Sequence, residues 1–126
     1  EHYTGSNYYL QFEVPGASFP IYFSYEEDGT GESFKWGDLE PGTGGVPTYT
    51  SKGDSVGIVD PAKNEIRLSV PVSELSSAAK ITKGAKISGL HVTTTAVVGV
   101  FVFDVDAAAG TAPYVAGTPS CVVPGK

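Results

Sequence analysis

The sequence predicts an all-β chain: a single β-sandwich of jelly-roll or immunoglobulin-like type, with about eight to nine short strands and at most one short helical turn. Three observations carry this. Sixteen glycines and nine prolines stand among 126 residues, and methionine is absent, a composition of turns rather than of helix interiors. Apolar residues recur with period two along most of the chain, the spacing of half-buried strands. The length fits one core, at about 100–200 residues per domain, so residues 1–126 read as one domain.

Each element follows in order. In Asn7–Val14 (NYYLQFEV), Tyr8, Leu10, Phe12 and Val14 share a face, and Pro15-Gly16 ends the strand. Phe19–Tyr25 aligns Phe19, Ile21, Phe23 and Tyr25. Glu26–Glu32 (EEDGTGE) reads as a turn, because Asp-Gly suits the positive-φ positions of hairpins. Ser33–Trp36 is a short strand and Asp38–Pro47 a glycine- and proline-broken loop. Ser55–Val59 and Glu65–Val70 form a hairpin over Asp60–Asn64. Val72–Ala79 is the one helical turn, with Ser73 as its expected cap and Ser76 and Ser77 as weaker options. Ile87–Thr95 and Val97–Val105 are the last long strands. The second (VVGVFVFDV) is apolar on both faces, which suits a central strand covered on each side. Pro113–Ala116 is a final short strand before a Pro/Gly-rich tail.

Charge narrows the partners. The net charge is −6, which repels phosphate backbones and anionic lipid and makes nucleic acid a poor partner. Residues 1–63 carry ten acidic and three basic residues, and 64–126 carry four and five, a polarity suited to head-to-tail contact. No stretch approaches the roughly 20 apolar residues of a membrane-spanning helix, so no membrane insertion is expected. The chain opens on Glu1 without a charged-then-apolar leader, as a processed secreted protein or an excised domain would. Cys121 is the one cysteine, leaving a buried thiol, a free thiol or a cross-link between chains.

The residues for chemistry are few. Nucleophilic catalysis wants a base beside the nucleophile, and the two histidines are His2 and His91, one terminal and one mid-strand. The chain therefore reads as non-catalytic. Carboxylates cluster at Glu26, Glu27, Asp28 and Glu32, with Asp38 and Glu40 nearby, while Asp104 and Asp106 share one strand face by their i, i+2 spacing. Asp28, Glu32, Asp104 and Asp106 are the candidate calcium ligands, since calcium takes six to eight oxygens from such groups. No other cofactor is expected. Phe12, Phe23, Phe101 and Phe103 belong to apolar faces and read as core. Tyr9, Tyr22 and Tyr49 fall on the polar register or in loops, and together with Trp36 they are the candidate ligand-binding aromatics, able to stack on sugar rings or anchor a protein.

The stretch Asn64–Leu75 (NEIRLSVPVSEL), followed by Lys83-Gly84 and the strand Ile87–Thr95, resembles a corner of DOMON-like and family 9 carbohydrate-binding sandwiches. There a strand meets an Ile/Val-Pro-x-x-x-Leu bend, then a glycine turn. The later Asp104 and Ala112–Gly117 (APYVAG) resemble the end of accessory domains in secreted bacterial or archaeal proteins. The resemblance implies a sandwich and an extracellular or cell-surface setting. It carries over no ligand: haem-binding members use Met and His, sugar-binding members paired tryptophans, and this chain has no Met and one Trp.

The function expected is a structural or assembly module, the subunit of a surface filament joined by β-strand addition, with residues 1–14 as an exchanged or donor strand. Its partners would be other copies of itself or a surface protein. The alternative is a carbohydrate-binding accessory module of a secreted enzyme, with a polysaccharide as partner. A small hydrolase using the acidic residues ranks third.

Overall fold

In the computed structural model, which describes residues 3–98, 101–109 and 114–115 and the side-chain surroundings of residues 5–96, the period-two segments become antiparallel strands. In chain order these are β1 (Tyr3–Glu13), β2 (Ile21–Glu27), β3 (Glu32–Pro41), β4 (Pro47–Asp54), β5 (Val56–Asp60), β6 (Glu65–Ser69), helix α1 (Val72–Leu75), β7 (Lys86–Val98), β8 (Phe101–Ala109) and β9 (Tyr114–Val115). A 3₁₀ turn at Thr43–Gly45 lies between β3 and β4. The fold is all-β, in two antiparallel sheets. The large sheet runs β4-β3-β2-β1-β7-β8, with β9 on β7, and β5-β6 form the small one.

The inner face of the large sheet carries Phe12, Ile21 and Trp36, which form the core with Val14, Leu75 and Ala79. Phe12, Ile21 and Asp38 follow one another across β1, β2 and β3, as do Leu10, Phe23 and Trp36. The hairpin β5-β6 and α1 supply the second layer. Gly57 rests directly on Phe34, where any β-carbon would overlap the ring. Its pairing partner Leu68 faces the same way, while Val56 and Ile58 point outward and stay exposed. Each fully buried large side chain contributes roughly 1.5–3 kcal/mol, so Ile21, Trp36 and Leu75 anchor both layers.

Several expectations change. β3 continues to Pro41 and pairs with β4, a strand the sequence hides. Asp38 and Glu40 put acids on the inner face there, which erases the alternation. The apolar run Val97–Val105 is not one central strand: β7 ends at Val98, which pairs with Phe101 at the start of β8. Most of that run therefore lies on β8, which has β7 as its one neighbour among the described residues. Pro71, not Ser73, is the N-cap of α1, and no side chain caps it. Ser73 lies inside the helix, its carbonyl accepting from the Ser76 hydroxyl at 2.7 Å. β1 (Tyr3–Glu13) sits mid-sheet between β2 and β7 of its own chain.

Candidate functional site

Three of the four candidate aromatics meet on the outer face. Tyr9 and Tyr49 stack with ring centroids 4.1 Å apart, and Tyr22 sets its edge against them at 6.0 and 4.9 Å. Tyr9 and Tyr22 project from the outer registers of β1 and β2, and Tyr49 reaches them from β4. Gly37 makes this possible: its missing side chain leaves room for Tyr22, whose Cε1 lies 2.9 Å from where a β-carbon would stand. Burial, with the Glu26 charge next, pushes both the Tyr9 and Tyr22 phenols up to about 12. Trp36 does not join them. It is 3% exposed in the core on the opposite face, because its register partner on β2 is Phe23.

Beside the tyrosines a polar cleft of about 320 Å³ lies between Asn7, Glu26 and Lys35 on the sheet and the Asp28–Ser33 turn. Lys35 Nζ donates to Glu26 Oε2 at 3.3 Å, a half-buried surface pair of the kind that contributes at most about 1 kcal/mol. The candidate calcium carboxylates of the turn already have work. Asp28 Oδ1 accepts from the Thr30 amide at 2.9 Å, the Thr30 hydroxyl at 2.6 Å and the Gly31 amide at 3.2 Å. The Thr30 hydroxyl and amide hold its carboxyl below the usual range. Glu32 accepts from the Tyr25 hydroxyl at 3.1 Å. Asp104 pairs with Thr95 and Asp106 with Thr94, with a register irregularity at Val105 between them. Their side chains, like those of Phe101 and Phe103, lie outside the described surroundings, as do His2 and Cys121 altogether. Among the described residues, no three His, Cys, Asp or Glu side chains group closely enough to hold a metal ion. No helix among them is long and apolar enough to cross a membrane.

A third cluster, which periodicity does not reveal, sits at the β3–β4 seam. At the register shift Trp36 pairs with Gly53 and Gly37 with Ser51, leaving Lys52 as the extra residue of a bulge. Bulges re-aim a side chain, and this one points Lys52 at the inner-face acids. Its Nζ lies 3.3 Å from Glu40 Oε2 and 3.8 Å from Asp38 Oδ2.

The two edges of the large sheet differ. β4 begins at Pro47 and carries the Lys52 bulge, both devices that discourage strand addition. β8 has one neighbour, β7, among the described residues. The register irregularity at Val105 interrupts its later part. At its start, Phe101-Val102-Phe103 pairs with Val98-Val97-Ala96, a corner where every residue is apolar.

Comparison with known protein families, curated proteins and solved structures finds no match.

Proposed function

We propose that the chain is a non-catalytic, extracellular assembly module, the subunit of a surface filament, whose large sheet is extended by strand addition at the β8 edge. The observation that carries this reading is the apolar start of β8, a strand with one neighbour among the described residues. An apolar edge strand with unpaired amides and carbonyls is a template for another chain, and an added strand gains main-chain hydrogen bonds and side-chain pockets together. A contact that does not close on itself propagates into a filament. The opposite edge, with its proline and bulge, disfavours addition while β4 is in place. Light scattering after size exclusion, with electron microscopy over a wide concentration range, tests this. The wild type is expected to associate, and Val102→Lys to weaken association tenfold or more while keeping the far-ultraviolet signature of a folded sheet. A wild type that stays monomeric throughout sinks the reading.

A second reading, a carbohydrate-binding accessory module, is favoured by the convergence of Tyr9, Tyr22 and Tyr49. Aromatic contacts contribute about 0.5–1.5 kcal/mol beyond area. Pull-down on insoluble polysaccharides should then show binding that Tyr49→Ala weakens about tenfold. Absence of binding to cellulose, chitin and xylan removes this reading.

A further inference from the structure

Asp38 is 4% exposed and its Oδ1 has no hydrogen-bond partner. Its Oδ2 shares Lys52 with Glu40, so two carboxylates surround one ammonium at the rim of the core. The ionisable groups acting on it are Glu40 on its own strand and Lys52 from β4, and its charge in turn acts on the Tyr22 phenol of β2. From the helical layer, Leu75 and Ala79 pack in the cluster of its register partner Ile21, while Glu74 of α1 is exposed. An ionised, buried carboxylate with an unpaired oxygen is costly. A protonated one is not, since it donates to Glu40 and leaves Glu40 paired with Lys52.

We infer that Asp38, Glu40 and Lys52 form an acid-locked clasp on the β3–β4 seam: protonated Asp38 holds β4 closed along the bulge, and ionised Asp38 loosens Ser51–Asp54 and frees the outer edge of β3. The bulge is where this opening begins, because the pairing at Lys52 is already interrupted. Deeper in the sheet, β2 is held by neighbours on both sides, so the loosening stays at the edge.

The direction follows from linkage. Burial first, then the bond with Glu40, raises the Asp38 carboxyl from the ordinary 3.8 to about 6. The closed seam therefore binds the proton more tightly than the open one, and its stability falls as pH rises from about 4 to about 6, then levels. Glu40 acts oppositely. Asp38 and Lys52 hold it below its ordinary 4.5, so its contribution is lost as pH falls through that range. The clasp is tightest where the two trends meet, near pH 4 to 5.

Amide hydrogen exchange tests this at pH 4.5 and pH 7, each site corrected for its intrinsic rate. Protection of the Ser51–Asp54 amides is expected to fall about tenfold at the higher pH, while β1 and β2 keep theirs. Asp38→Asn retains a donor for Glu40 and removes the titration, so its corrected protection should match at both pH values. Equal protection in the wild type overturns the clasp, and an equal fall in Asp38→Asn overturns the role of Asp38. Should the variant not fold, carboxyl carbon shifts decide in the wild type. A midpoint for Asp38 that coincides with the loss of protection supports the clasp, and one in the ordinary carboxylate range removes it. Exchange is read on the monomer, so the outcome does not turn on assembly through β8.

Discussion

Replacing Trp36 by alanine should cost about 3–5 kcal/mol, the range for truncating a buried large aromatic. That is a large share of the roughly 5–15 kcal/mol that holds a domain folded. The side chain is 3% exposed and packs with Phe12, Ile21, Leu75 and Ala79, so the cavity would open between the large sheet and the helical layer. Urea unfolding monitored by far-ultraviolet circular dichroism measures the loss. Trp36→Phe keeps most of the contact and should lose less than half as much. A loss below about 1 kcal/mol for the alanine variant would place Trp36 outside the core and return it to the candidate ligand-binding set.

Gly37→Ala is the second large effect, and it acts through the backbone. A β-carbon at Gly37 would overlap the carbonyl oxygen of Thr50 on β4 and stand 2.9 Å from Tyr22 Cε1. Neither the paired backbone nor a 2% exposed ring yields easily. Overpacking of this kind costs about 1–3 kcal/mol, occasionally more. The expected result is a loss at or above the top of that range, with the near-ultraviolet signal of the tyrosine cluster changed. Gly31→Ala is the matched comparison, since a β-carbon there meets nothing within 4 Å; it should alter thermal stability by less than about 0.5 kcal/mol. Similar losses in the two variants would deny Gly37 its special place.

These two residues also mark how far the sequence was legible. Where one face was apolar and the other polar, as in β1 or the β5-β6 hairpin, period-two patterning located the strand to within a few residues. It failed at β3 and β4 for a local reason: Asp38 and Glu40 occupy inner positions, Lys52 adds an irregular residue, and no alternation survives. What stabilises that seam is an ion cluster and a glycine contact, and neither has a periodic signature. The apolar run through Val97–Phe103 was visible, but its position was not, because a hairpin and a single strand look alike when every residue is apolar. The aromatic set divided for a similar reason. Tyr9 and Tyr22 could be placed from their strand registers, whereas Trp36 required knowing which strand lay beside it. Asp28 illustrates another limit, since an aspartate that closes a turn and one that awaits a cation are spelled identically.

The position of β1 has a consequence for how the chain is made. It lies mid-sheet, and its two partners come from very different places: β2 follows within a few residues, but β7 begins roughly seventy residues after β1 ends. At a synthesis rate of about 5–20 residues per second, several seconds pass before β7 exists. Throughout that time the nascent β1–β4 meander exposes the β1 edge on the ribosome, with Tyr8, Leu10 and Phe12 lacking their later cover. Vectorial synthesis thus turns a central strand of the finished sheet into a temporary edge, the interval in which a neighbouring nascent chain competes with β7 for the same row of amides.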